Sequence, residues 1–284
     1  MKNIFLKSSL ILMAIVLFSC SSDDDNNTYE ENPVDDMYMF HSFSQNNYLV
    51  ELYSENPQLK TGYNKLALTI QDEETDEFID DAELSWKPIM HMTEMSHAGP
   101  HSDLNNSPNN QIYEGYLVFQ MPGNEEEYWE LNLNFDVKGE SFDETISLDI
   151  RPTSDGLVNT QSFEGADEKH YILAYMEPQV PKVATNDIEA VLYKMEDMMN
   201  FSIVEDYHIA LDPRMPSMGN HSSPNNEDLI YDSTTQTYKG KVSLTMTGYW
   251  VFNLKLLNDE GEVLKGEDIT EDNEQSSLYF EIEF

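Results

Sequence analysis

The sequence predicts an all-β fold, two tandem immunoglobulin-like β-sandwich domains behind an N-terminal signal. Three observations predict it. Short runs alternate apolar and polar residues, turn-forming residues separate those runs, and a set of landmarks recurs in the same order roughly 120 residues later.

Period two is clear in residues 48–53 (YLVELY), 66–70 (LALTI) and 131–137 (LNLNFDV), and again in 190–193, 242–246 and 251–256. A strand with one buried face produces that alternation, because successive side chains point to opposite sides of the sheet. Asn258-Asp-Glu-Gly261 is a turn signal, and no stretch after the signal has the period of an amphipathic helix. About seven short strands per repeat of ~110 residues is the pattern of an immunoglobulin-like sandwich. Tyr128-Trp129 and Tyr249-Trp250 each straddle the two faces of a strand, so one residue of each pair faces the core.

The repeat rests on four landmarks. Met92-x-x-Met95 matches Met215-x-x-Met218 at an offset of 123, Tyr113-Glu-Gly115 matches Tyr238-Lys-Gly240 at 125, Met121-Pro-Gly123 matches Met246-Thr-Gly248 at 125, and Tyr128-Trp129 matches Tyr249-Trp250 at 121. Both Met-rich stretches also run into the same Ser-Pro-Asn-Asn sequence. The expected domains are 37–152 and 166–284, joined by a polar, aperiodic linker over 153–165.

Residues 1–19 read as a secretory signal, with Lys2 and Lys7 ahead of an apolar run that is too short to span a bilayer well. Leu17-Phe18-Ser19-Cys20 resembles the lipobox of bacterial lipoproteins, which implies cleavage before Cys20 and acylation of Cys20. Each acyl CH₂ buried in the bilayer contributes about 0.8 kcal/mol to anchoring. Residues 20–36 are acidic and polar and read as a disordered tether. The acidic run directly after the cysteine resembles the surface-export signal of lipoproteins in the Bacteroidota. The expected location is therefore the outer membrane, facing the periplasm or the cell exterior.

The formal net charge of −39 repels nucleic acid, so none is expected as a partner. Cys20 is the only cysteine. Disulfides within the domains are therefore excluded, and no domain metal site can use thiolate.

The candidate site residues are methionines and histidines. Met215-Pro-Ser-Met218-Gly-Asn-His221 reads as a loop, because Pro216 and Gly219 oppose a regular strand or helix. In the first repeat Met92, Met95, His97 and His101 play the same part. Met121 and Met246, each at the end of a strand, could supply a further sulfur at each site. Thioether is a soft ligand and imidazole a borderline one, a set that suits copper as Cu(I) and not magnesium or calcium. His41, His170 and His208 lie in strand-like contexts and are not expected as ligands. No Gly-rich phosphate loop, H-E-x-x-H or G-x-S-x-G occurs, so an enzyme is not expected.

The pattern M-P-x-M-x-x-H, then Y-x-G, then M-x-G-x-W resembles the YtkA/FixH-like domain. The second repeat carries it in Met215-Pro-Ser-Met218, His221, Tyr238-Lys-Gly240, Met246, Gly248 and Trp250. The first repeat departs from it, with Thr93 where the proline should be and Glu125 to Glu127 inserted before Tyr128. The resemblance covers about 50 residues of each repeat. It implies an extracytoplasmic β-sandwich linked to copper handling and oxidase assembly, with a partner protein of that kind. The competing expectation is a metal-free surface adhesion or interaction module of tandem immunoglobulin-like domains, in which the Met-rich loop is a plug over the end of the sandwich.

Overall fold

Residue 34 and residues 36–107 and 111–284 are described by a computed structural model. The signal segment, Cys20 and all of the tether but residues 34 and 36 lie outside the described residues, as does most of the first Ser-Pro-Asn-Asn copy. No helix among the described residues is long and apolar enough to cross a membrane.

Among the described residues the first repeat has nine strands: β1 (Tyr38–Gln45), β2 (Tyr48–Ser54), β3 (Gly62–Asp72), β4 (Glu83–His91), β5 (Ser96–Ala98), β6 (Asn105–Ser107), β7 (Ile112–Phe119), β8 (Tyr128–Val137) and β9 (Glu140–Leu148). They form two antiparallel sheets, ordered β1-β2-β3-β7-β6 and β5-β4-β8-β9. Lettering β2 to β9 as A, B, C, C′, D, E, F and G gives A-B-E-D facing C′-C-F-G, the immunoglobulin-like arrangement.

The second repeat follows the same strand order and adds two short strands. Its elements are β10 (Thr160–Glu164), β11 (His170–Glu177), β12 (Thr185–Asp197), β13 (Asn200–Ile203), β14 (His208–Met215), β15 (His221–Ser222), β16 (Glu227–Asp232), β17 (Thr237–Ser243), β18 (Tyr249–Leu257), β19 (Val263–Lys265) and β20 (Leu278–Glu283). The run β10-β11-β12-β17-β16 copies the first sheet, while β14, carrying β15, pairs with β18, which carries β20. The added strands are β13, beside β12, and β19, beside β18. A short pairing of β16 with β14, His208 opposite Ile230 and Ile209 opposite Leu229, joins the two sheets at one edge.

Each repeat has its own core, filled by the inward residues of the alternating strands. In β8 these are Trp129, Leu131, Leu133, Phe135 and Val137, with Tyr128 turned out. In β18 the counterpart Trp250 is fully buried. Burying side chains of this size contributes about 1.5–3 kcal/mol each, which lets these domains stand without disulfides.

Two further details are duplicated. Asn64 accepts from the Lys60 N–H at 3.0 Å and donates to the Lys60 and Gly62 carbonyls, while Asn186 does the same with Lys182 at 2.9 Å and with Lys182 and Ala184. The Tyr113 hydroxyl donates to Ile79 O at 3.1 Å and that of Tyr238 to Val204 O at 2.9 Å. The shared Lys-x-x-x-Asn spacing behind the asparagine clip was available in the sequence as a repeat signal.

Several boundaries differ from those expected. Val34, placed in the tether, is buried with Ala67 and Ile112, so the first repeat gathers in chain before residue 37. Residues 160–164, placed in the linker, form β10 and pair with β11. The rest of that stretch is laced to both repeats. Asn159 Nδ2 donates to Thr61 O at 2.9 Å, and Glu281 N to Val158 O at 2.8 Å. The strand expected over 242–246 ends at Ser243.

The repeats also pack together, and both lie in one compact unit. Val118, Tyr63 and Tyr116 on the outer face of β3 and β7 meet Ile172, Ala174, Met176, Val191, Tyr193, Phe201 and Ile203 on the outer face of β11 to β13. The Tyr116 and Tyr193 hydroxyls are 2.8 Å apart across that contact. The two four-strand A-B-E-D sheets are thus stacked back to back through their outer faces.

Candidate metal centre

The second Met/His segment, expected as a loop, is a strand end and a turn. β14 runs through Pro213, opposite Phe252, to Met215, which pairs with His221 of β15. Pro216–Met218 then forms one 3-10 turn, closed by Gly219 in the left-handed region at φ 67°. Proline suits the first position of such a turn and glycine its end, so the two residues that oppose a long strand instead define a tight reversal. Arg214 braces the turn. It forks onto Asp212 at 2.8 Å and donates to Asn220 O at 3.1 Å.

The side chains divide by burial. Met215 is only 4 % exposed and belongs to the core. Its Cε lies 2.8 Å from where a Cβ on Gly248 would stand, so that glycine makes room for it. Met218 and Met246 are 56 % and 39 % exposed, and His221 is open to solvent. Trp250 joins the two segments, because its Nε1 donates to Met246 O at 3.1 Å and β18 begins against the turn.

The first repeat builds the same end differently. Met92 N donates to Met95 O at 2.9 Å across the turn between β4 and β5. Met92 and Met121 are half-buried against the core, while Met95 is 53 % exposed. Trp129 Nε1 donates to Met121 O at 3.0 Å, as its counterpart does to Met246. The His97 ring stands edge-on to Trp129 with centroids 5.5 Å apart. Its Nδ1 lies 2.9 Å from Ala98 O, and the Nδ1 of His101 lies 3.0 Å from Gly99 O. A carbonyl only accepts, so both neutral rings carry their proton on Nδ1 and keep the Nε2 lone pair. That is how metal-binding imidazoles are commonly oriented. Burial pushes the His101 imidazole below its ordinary value and favours that neutral form.

His91 is occupied otherwise: Nε2 lies 2.8 Å from the Glu130 carboxylate and the ring stacks on Tyr128. His208 likewise pairs with Asp228 at 3.0 Å.

Hydrogen-bond register corrects the internal alignment of the methionines. Pro88 lies opposite Leu131 and Met90 opposite Trp129, whereas Pro213 lies opposite Phe252 and Arg214 opposite Val251, which sets Met215 against Trp250. His97 pairs with Met90 as His221 pairs with Met215. Met215 therefore corresponds to the buried Met90 and not to Met92. The offset is 125, shared with Tyr113/Tyr238 and Met121/Met246, and the signal for it was Pro88-x-Met90 against Pro213-x-Met215. Met90 was missed, as were Met198 and Met199 on the turn between β12 and β13.

Among the described residues no three or more His, Cys, Asp or Glu side chains converge in a way that could hold a metal ion.

No protein-family model matches the chain, and no curated protein does. Among solved structures it is similar to FdeC, an Escherichia coli adhesin, at 10 % identity and a TM-score of 0.25, over 85 % of this chain and 65 % of that one. It is similar to a DUF4785 family protein from Legionella pneumophila at 10 % identity and a TM-score of 0.26, over 78 % of this chain and 55 % of that one. A titin segment aligns at 9 % identity and a TM-score of 0.20, over 80 % of this chain and 91 % of the segment. The chain thus spans less than two thirds of the length of the first two. The immunoglobulin-like sandwich assignment rests on the strand order of the chain itself.

Proposed function

We propose that the protein is a lipid-anchored, extracytoplasmic copper-binding protein that holds Cu(I) at one end of each sandwich and takes part in copper handling or delivery. Exposed methionines carry the reading. Met95, Met218 and Met246 sit on turns, where their sulfurs serve no core, and each lies at a sandwich end that also carries an imidazole. Soft sulfur with neutral nitrogen selects Cu(I) over hard cations. In the second repeat Met218, His221 and Met246 form the open side of the site and Met215 its floor. In the first repeat the candidate donors are Met92, Met95, His97, His101 and Met121. The anchor is the lipid on Cys20, and the partner is a copper-handling or oxidase-assembly protein that exchanges the ion. The high negative charge raises the local concentration of cations around the sites.

The test is Cu(I) competition against a chromophoric chelator. It uses the full chain with Cys20→Ser, so that no thiol competes. The expected uptake is two equivalents, falling to one in the variant carrying Met218→Leu and His221→Gln. Equal uptake by both chains would remove the second site.

Burial of Met215 favours a second reading for that residue, a plug that closes the sandwich end. In that case the tandem domains form a metal-free interaction module, and the chain takes up no copper.

A further inference from the structure

The turn between β12 and β13 is two residues long, Asp197 pairing with Asn200 around Met198 and Met199. Asp197 fixes it, with Oδ1 accepting from Met199 N at 2.7 Å and from Asn200 Nδ2 at 3.0 Å. Such turns favour Gly, Asn, Asp and Ser, whose backbone preferences suit them. Two consecutive methionines bring no such advantage. They are also 40 % and 37 % exposed, so they are not core filler.

This tip belongs to the second repeat but is seated on the first. Ala98 N donates to Met198 O at 2.9 Å, and Lys87 Nζ donates to Met199 O at 3.3 Å. Ala98 directly follows His97, and β5, which carries both, follows Met95. β12 and β17 are antiparallel, so this tip is at the opposite end of the second repeat from Met246. The second repeat thus reaches the Met/His end of its neighbour with the end that lacks its own site.

The equivalent tip of the first repeat makes the contrast. β3, the counterpart of β12, turns through Glu73-Glu74-Thr75-Asp76, which are exposed and carry no sulfur. The methionine pair occurs only in the copy that meets a Met/His end.

We propose that Met198 and Met199 are thioether ligands of the first site, acting with Met95 and His97, so that the site is assembled across both repeats. The ligand class is a soft monovalent cation, Cu(I), held by sulfur and one imidazole. Nε2 of His97 is the nitrogen donor, since Nδ1 is committed to Ala98 O. The proposal rests on the copper reading above and adds that the first site depends on the junction while the second does not.

The experiment is Cu(I) competition on the full chain with Cys20→Ser, against the same chain with Met198→Leu and Met199→Leu. Leucine keeps apolar volume and removes sulfur, so the metal-free melt should not move. The expected result is one equivalent weakened by about 10-fold or more, on the scale of losses when a site loses supporting groups, and the other unchanged. Met95→Leu should weaken that same equivalent and Met218→Leu the other one. Two equivalents with parental affinity in the Met198/Met199 variant would overturn the cross-repeat site and leave the copper reading standing. A parent chain that takes up no Cu(I) would overturn both.

Discussion

The Met/His ends of the two repeats stand on the same strands but are finished differently. In the second, Met215 is tucked under the turn, and Gly248 is shaped around its methyl group. In the first, a Cβ on Gly123 would meet only backbone at ordinary contact distance, Glu127 O at 3.4 Å and Tyr128 Cα at 3.8 Å, and the turn methionine Met95 stands open beside a neighbour that brings two more. Duplication preserved the Trp-to-Met carbonyl bond, the asparagine clip and the tyrosine bond. What changed is how each end is closed: by its own turn in one repeat, by the other repeat in the first.

Removing the shared element should hurt both repeats alike. Trp129→Ala and Trp250→Ala each empty a fully buried site and free a Met carbonyl, and each should cost about 3–5 kcal/mol in chemical denaturation. A loss confined to one repeat would break the equivalence. Register sharpens the next comparison. Met90→Ala and Met215→Ala should each cost about 2–5 kcal/mol, whereas Met95→Ala and Met218→Ala should stay within about 0.5 kcal/mol. If Met215→Ala behaved like Met92→Ala and unlike Met90→Ala, the alignment at 123 would be the better one.

The glycines separate the two ends directly. Gly248 has φ 125° and a Cβ there would meet Met215 Cε, so Gly248→Ala should lower stability by about 1–3 kcal/mol. Gly123→Ala has neither obstacle and should stay within about 0.5 kcal/mol. Matching melts for the two variants would contradict the different packing of the ends. The last pair tests what the repeats share. Asn64→Ala and Asn186→Ala each strip three hydrogen bonds from a buried clip and should cost about 1–3 kcal/mol apiece, equal within error.

Much of the scaffold was legible in the sequence, because strand alternation is a one-dimensional signal. Trp129 and Trp250 were each expected as one of two core candidates, and they are the buried ones. The site was legible only in its residue types. Met92-x-x-Met95 and Met215-x-x-Met218 match by spacing, but pairing with β8 and β18 decides which methionine faces inward, and pairing is long-range. Pro216 and Gly219 were read as strand breakers, yet β14 persists to Met215 because its partners β18 and β15 hold it. Met198 and Met199 had no local reason to be joined to His97, 101 and 102 residues earlier in the chain. Only the stacking of the two A-B-E-D sheets brings them together.

On the proposal above, copper is held by thioether sulfur. X-ray absorption at the copper edge, on the full Cys20→Ser chain loaded with Cu(I), addresses it without a mutation. The expected result is a first shell dominated by sulfur, with about one imidazole nitrogen per ion. A shell of oxygen and nitrogen alone, or copper lost on simple buffer exchange, would contradict it.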